Sequence, residues 1–412
     1  MNKNFDSEEE KKISEFLVDN FGSEVFTPGL ERTRILFDPL TKLITEKGIK
    51  VITISGTNGK GQTAHCLAHL LNQKQLSFAL WTSPHILSIR ERFNFGNKGI
   101  NLEIEYEELT QCIFESKKII DNNYPALQIS YYEFLFFVFL KLALAKKRKV
   151  EYLILEVGLG GRLDAVNHIN ADIVALTSIS RDHQLILGNR YDLILNEKIG
   201  VCRKNTILIS NIYLDYLKDK LRTFCFKKNI NWINLIPQKD YFENNQALSV
   251  AIFKHFYPKS NDIFTFPALK GRQEVVEFLG NSIIFVGAHN IDGVRCMLRA
   301  NFLNKFSSGS TLKVMLSFSK RPYEELNIML KLLLGITDLK YKILLTSFEH
   351  EKAVDKKIIK LLHSENFKFN EGMLDFVENW KKDLLQSNNE KILVCGSYYF
   401  IGEVQRYINS CF

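Results

Sequence analysis

The sequence predicts an α/β chain of two units, each built on a mostly parallel sheet. Three observations predict it. Short apolar runs alternate with segments of helical period, which places helices over the faces of parallel strands. The run Lys50–Ile54 passes directly into a glycine-rich turn, Ser55-Gly56-Thr57-Asn58-Gly59-Lys60-Gly61-Gln62-Thr63. A second strand-and-helix series begins near residue 274, and a length of 412 residues exceeds most single cores.

Taken in order, the first strands are expected at Val51–Ile54, Phe78–Trp81, Tyr152–Val157, Ile173–Ile179 and Thr206–Ser210. Helices are expected between and after them, at about 63–74, 106–120, 131–147 and 192–203. The second series comprises Ser282–Val286, Leu312–Leu316, Ile343–Thr346 and Ile392–Cys395. Its helices fall at about 291–302, 322–335, 353–363 and 400–409. The segment TFPALKG (265–271) reads as the linker, setting the boundary near 270. A ligand cleft is expected where the two units meet.

Composition narrows the class. Hydrophobic residues at 46% and charged residues at 24% describe an ordinary globular protein. A net charge of +8, spread without a basic tail, suits anionic small substrates at least as well as nucleic acid, and no nucleic-acid partner is expected. Seven scattered cysteines without a CxxC pair imply reduced thiols in a cytoplasmic protein. The apolar stretch Tyr131–Ala145 carries Glu133 and Lys141 and is too short to span a bilayer, so no membrane partner is expected. The polar, acidic N-terminus is no secretory signal.

The glycine-rich turn has the chemistry of a phosphate holder. Its glycines admit the anion, the following helix offers free N–H groups, and Lys60 brings a mobile positive charge. It departs from the general G-x-x-x-x-G-K-[ST] spacing, because Ile54 stands at the first glycine and Gly61 follows the lysine. Further segments lie at or beyond strand ends, where such sheets bind ligands. They are Thr82-Ser83-Pro84-His85, the run LEVGLGGRLDA (155–165) and Asp182-His183-Gln184; Lys198 lies on a helix instead. A hydroxyl, a carboxylate and an imidazole beside a phosphate turn make a Mg²⁺ shell, since Mg²⁺ takes few protein ligands and bridges to phosphates. Read singly, Ser83 is as well explained by a turn, His183 by a structural hydrogen bond and Lys198 by a solvated charge. Glu156 stands out, because a carboxylate ending an apolar strand needs a partner. In the second series, Gly287-Ala288-His289-Asn290 and Gly396-Ser397-Tyr398-Tyr399 are comparable strand-to-helix turns.

Together these segments form an ordered set: GLERTRILFDPL (29–40), SGTNGKG, TSPHILSIRERF (82–93), SYYEFL (130–135), LEVGLGGRLDA, DHQLILG (182–188), NEKIGV, GAHN and GSYYFIGEV (396–404). The set resembles the folylpolyglutamate synthase/dihydrofolate synthase family of the Mur-ligase superfamily, in a divergent form. The resemblance implies an N-terminal P-loop ATPase-type domain with a mostly parallel sheet, residues 1–270, and a smaller Rossmann-like C-terminal α/β domain for glutamate ligation, residues 271–412. It implies an ATP-dependent amide ligase, a cytoplasmic monomer, that joins L-glutamate to dihydropteroate, to folates, or to both through an acyl phosphate. The alternatives are a Mur-type ligase acting on another carboxylate, and a homologue with impaired catalysis that keeps a binding role.

Carried over by position, Gly56, Thr57, Asn58, Gly59, Lys60, Gly61, Gln62, Gln246, Arg272 and His289 would bind ATP. Ser83 and Glu156 would hold one Mg²⁺ and His183 would serve a second. Lys60, His183 and Lys198 would be catalytic, Lys198 matching a lysine that many relatives carbamylate. Asp164 and Ala165 would lie on the pterin side, Ser397 and Tyr399 on the glutamate side.

The departures gather on the nucleotide side. Gln62 replaces a small hydroxyl, and Gln246 stands at a usual asparagine. Val286 replaces the aspartate of a DGAHNP motif and Ile291 its proline; Ser319-Lys320-Arg321-Pro322 occupies the place of Asp-Lys-Asp. Lys270-Gly271 precedes the linker arginine in place of a proline-containing turn, and the stretch from Ser210 to Asn244 is short.

Overall fold

In the computed structural model the described residues are 8–24, 27–238, 240–260, 264–299, 306, 311–335, 341–368, 370 and 372–411. Their contacts divide the chain into two compact units, Asp6–Phe266 and Pro267–Phe412.

The first unit holds strands β1 (Lys50–Ser55), β2 (Phe78–Trp81), β3 (Phe93–Asn97), β4 (Ile100–Glu103), β5 (Tyr152–Glu156), β6 (Ile173–Leu176), β7 (Ile207–Ser210) and β8 (Asn231–Asn234). They form one sheet in the order β4-β3-β2-β5-β1-β6-β7-β8. The run from β2 to β8 is parallel, and β3 and β4 close one edge antiparallel. The central strands are apolar on both faces because helices cover both. Ile52, Ile54, Ile154, Ile173 and Ala175 pack with Ala64, Leu67 and Leu71 of the helix Lys60–Gln73. Val51, Leu153, Leu155, Val174 and Leu176 turn the other way, toward the core that holds the helix Tyr131–Leu144.

That second helix is apolar all round, which demands burial. It begins with a capping box in which Ser130 accepts from the Glu133 amide and Glu133 accepts from the Ser130 amide. Arg32 fixes its start further by a bidentate bond to Glu133 at 2.8 Å. No described helix is long and apolar enough to cross a membrane.

The second unit holds β9 (Arg272–Phe278), β10 (Asn281–Val286), β11 (Leu312–Leu316), β12 (Tyr341–Thr346), β13 (Leu374–Val377) and β14 (Lys391–Cys395). The order is β13-β12-β11-β14-β10-β9, parallel except for β9, which pairs antiparallel with β10 at the edge. Its core is formed by Ile284, Val314, Leu316, Ile343, Leu345 and Leu393 with helix residues such as Leu326, Leu330 and Leu362.

The differences from expectation have local causes. The strand expected to reach Ile179 ends at Leu176, because Thr177 and Ser178 turn their hydroxyls onto the carbonyl of Asn58. The helix expected over 192–203 is Tyr191–Ile199, stopping at Gly200. The helix expected near 291–302 runs Ile291–Arg299, and 300–302 lie outside the described residues. Strands β3, β4, β8, β9 and β13, and the helices Glu8–Phe21, Arg34–Glu46, Asp215–Lys228, Tyr241–Phe256 and Trp380–Gln386, were not expected at all. Most of these strands sit at sheet edges, where exposure dilutes the apolar pattern; β4 is exposed throughout. The short stretch after Ser210 is occupied by one helix and β8.

Candidate active site

Strand β1 lies between β5 and β6, and the connections leaving these strands run to opposite sides of the sheet. Such a switch point leaves a crevice at the carboxyl ends of the strands. The turn Ser55–Lys60 stands there and is tied to the segment after β6. Thr57 donates its amide to the Ser178 carbonyl at 2.9 Å, and its hydroxyl bonds both the amide and carbonyl of Ser180. The Asn58 carbonyl accepts from Thr177 at 2.7 Å and from Ser178 at 3.0 Å. Lys60 folds back on the turn, donating Nζ to the Thr57 carbonyl at 3.0 Å. Gly61 begins the buried face of the following helix.

Gly59 adopts a left-handed conformation at φ 89°, and a Cβ placed on it would stand 2.3 Å from Oδ1 of Asn245. Asn245 is buried on the helix Tyr241–Phe256, and its Nδ2 donates to Oε1 of buried Gln62 at 2.7 Å. Asn245, the neighbour of the assigned Gln246, is thus the residue whose side chain meets the turn. Gln246 is only half-buried, and its carbonyl accepts from Ser249.

Glu156 ends β5, level with Ile54 of β1, and is buried. Its Oε2 accepts the Ser83 amide at 3.1 Å, so the segment following β2 and the carboxylate ending β5 are neighbours. Lys198 is buried on the helix Tyr191–Ile199, donating Nζ to the Gly56 carbonyl at 2.7 Å. Burial, and then the charge of Lys60, hold its amine well below the usual lysine range, while Asp182 and Asp164 pull the other way. Asp182, which the sequence assignments passed over, lies next to His183. It is buried, and its Oδ1 accepts the His183 amide at 3.0 Å. His183 has a left-handed backbone, its side chain is half exposed, and Nε2 lies 3.9 Å from Asp182. Among the described residues no group of three or more His, Cys, Asp or Glu converges as a metal cage. One carboxylate and one hydroxyl beside a phosphate-type turn are hard oxygen donors of the kind Mg²⁺ takes.

Asp164 is wholly buried and its oxygens are used within the protein. Oδ2 accepts from the Leu159 amide at 2.9 Å, while Oδ1 accepts from the Val166 amide at 3.0 Å and the Tyr132 hydroxyl at 3.4 Å. Burial raises its carboxyl to about 6 against those hydrogen bonds. Asp164 therefore shapes the loop 158–166, and buried Ala165 opens the short turn Ala165–His168.

No family model matches the chain. A dihydrofolate synthase/folylpolyglutamate synthase of Buchnera aphidicola (subsp. Baizongia pistaciae) is 27% identical over 95% of the chain and 94% of its own length. The protein of that name from Bacillus subtilis is 25% identical over 92% and 94%. Over nearly its whole length the chain is similar to dihydrofolate synthase/folylpolyglutamate synthases. Solved structures share the fold. The E. coli FolC protein in complex with DHPP and ADP aligns at TM-score 0.77 with 21% identity, covering 99% of both chains. The Yersinia pestis bifunctional synthase with Mn, AMPPNP and L-glutamate aligns at 0.75 with 22% identity, covering 98% of this chain and 99% of that one.

In the second unit the expected residues fall into two groups by their partners. Arg272 opens β9 and His289 follows β10; both rest on the ring of Tyr398. Ser397 and Tyr399, on either side of Tyr398 in the chain, have other partners. Ser397 is wholly buried, caps the helix Tyr398–Ser410 and shares a 2.7 Å bond with the Ser319 hydroxyl. Tyr399 stacks on His350 at 4.3 Å, a partner from the end of β12 that the sequence did not signal.

Proposed function

We propose that this chain is an ATP-dependent amide ligase that joins L-glutamate to dihydropteroate, to folates, or to both. The observation that carries the proposal is the meeting, at one carboxyl edge, of the 55–60 turn with Lys60, the Glu156 carboxylate held by the Ser83 amide, and buried Lys198. The substrate carboxylate attacks the γ-phosphorus of ATP, releasing ADP and leaving an acyl phosphate. The glutamate amine then displaces inorganic phosphate, forming the amide and losing a proton.

The 56–62 turn binds the phosphates through backbone N–H groups, and Lys60 swings from the Thr57 carbonyl to the transferring group. Ser83 and Glu156 are the residues that would hold Mg²⁺, with His183 serving a second ion. A bound divalent cation neutralises phosphate charge there. Lys198 is the residue assigned to carbamylation; burial favours the neutral amine, the form that adds to CO₂, and the product is an anion that orients metal or phosphate. Asn245 takes the place first given to Gln246 on the nucleotide side, and Arg272 and His289 contribute nucleotide contacts from residues 271–412. Asp164 and Ala165 form the pterin side and Ser397 and Tyr399 the glutamate side. The protein works on small molecules as a cytoplasmic monomer, without nucleic-acid or membrane partners.

The test is coupled ADP release by the whole chain with Mg²⁺, L-glutamate and either dihydropteroate or tetrahydrofolate. Release that requires glutamate and at least one pterin is the expected result. Release indifferent to both pterins overturns the proposal.

A further inference from the structure

Tyr398 lies on the second unit's first helical turn after β14, and three separate features converge on its ring. The Arg272 guanidinium carbon stands 5.4 Å from the ring centroid, within cation–π range. The His289 ring leans on it at 5.1 Å with a 47° tilt. Gly287 passes so close that a Cβ there would lie 2.3 Å from the Tyr398 ring and hydroxyl. The His289 ring is also fixed locally, since its Nδ1–H donates to the Gly287 carbonyl at 3.0 Å. One aromatic ring thus sets the direction of two side chains from two other strands, β9 and β10, and Gly287 is the residue that leaves room for it.

We infer that Tyr398 is a positioning residue for the nucleotide side of the second unit: it aims Arg272 and His289 together. The inference rests on the proposed role of Arg272 and His289 in holding ATP. Two properties of the site make such a support matter. A guanidinium is a long, rotamer-rich group, and stacking on an aromatic face removes much of the ordering that binding would otherwise require. Val286, immediately before Gly287, offers no polar side-chain atom to the nucleotide, so the weight of binding falls more heavily on the two side chains that Tyr398 carries. The ring does this work, not the hydroxyl.

The experiment measures the KM for ATP, the KM for glutamate and kcat of the whole chain in Tyr398→Phe, Tyr398→Leu, Arg272→Ala and the double variant Arg272→Ala/Tyr398→Leu. Thermal melts of each without ligand report folding. Tyr398→Phe is expected to hold the KM for ATP within about twofold, because it keeps the face of the ring. Tyr398→Leu is expected to raise it by about 3- to 30-fold, with the glutamate KM unmoved. The double variant is expected to be little worse than Arg272→Ala alone, since the ring then has less to aim. If Arg272→Ala raises the KM for ATP while Tyr398→Leu leaves it unchanged, or if the two effects multiply, the positioning role is overturned. If Arg272→Ala itself leaves that KM unchanged, the ATP role of Arg272 fails and the inference falls with it. Should Tyr398→Leu not fold, Gly287→Ala displaces the ring without removing it, and an unchanged KM for ATP there is equally fatal.

Discussion

Replacing Gly59 by alanine separates two forces at the phosphate turn. The first is backbone strain: Gly59 sits at φ 89° and ψ −6°, and an L-residue held there costs about 1–2 kcal/mol. The second is a collision. The new Cβ would stand 2.3 Å from Asn245 Oδ1, so Asn245 must rotate away. That breaks its 2.7 Å bond to Gln62 and leaves two buried amides unmatched, at about 1–3 kcal/mol. Together the two come to about 2–5 kcal/mol. If the turn keeps its shape, the loss appears in the stability of the free protein. If it relaxes, the loss reappears when ATP demands the original shape. Calorimetric ATP affinity and the ligand-free melt are therefore measured together, and a weakening of ATP binding by about 30-fold or more is expected when the turn relaxes. The decisive arm is the same substitution in an Asn245→Ala background. There only the strain remains, and Gly59→Ala should cost about 1–2 kcal/mol. An equal cost in both backgrounds would refute the assignment of Asn245 as the residue that the Cβ meets.

Three further expectations follow from the same geometry. Lys60→Ala should lower kcat by at least about a hundredfold while the ligand-free melt barely moves, as steady-state ADP release and calorimetry will report. Glu156→Gln keeps the volume but halves the hard-donor set; the Mg²⁺ concentration for half-maximal ADP release should rise at least about tenfold, and a chelator should abolish turnover in the parent chain. Two buried groups oppose each other in pH dependence. Burial raises Asp164 from 3.8 to about 6, so the folded chain binds the extra proton and Asp164 contributes stability that is lost as pH rises from about 4 to 6, by about 3 kcal/mol. Burial lowers His168 from 6.5 to about 4, so its contribution is lost as pH falls through about 6.5 to 4, by a similar amount. A pH series of thermal melts should be nearly flat in the parent from these two groups. It should fall with rising pH in His168→Gln and rise in Asp164→Asn.

Much of the central architecture was legible because it is encoded locally. Strands such as Phe78–Trp81 and Leu312–Leu316 are short apolar runs that must be covered on both faces, and the predicted bounds agree with the structure. Edge strands were not legible. In β4 every residue is exposed, and in β9 the apolar residues Val275 and Val276 are flanked by charge, so period and composition point nowhere. The Ser-containing end of β6 misled for a related reason: Thr177 and Ser178 look like strand residues, yet their hydroxyls are drawn into the phosphate turn.

By itself the sequence determined the fold class, the phosphate turn, the ordered set of strand-end segments and the family resemblance. These rest on glycines, a lysine and apolar periodicity, which act within a few residues. Only the tertiary structure decided which side chains share an environment. It put Asn245 against Gly59, the Lys198 amine on the Gly56 carbonyl, and Arg272 and His289 on Tyr398. It also turned Asp164 and Ser397 inward, to hold a loop and cap a helix. The physical reason is range. A turn or a strand is stabilised by neighbours in the chain, whereas burial, a shifted pKa or a shared ring depends on residues brought together from distant parts of the sequence.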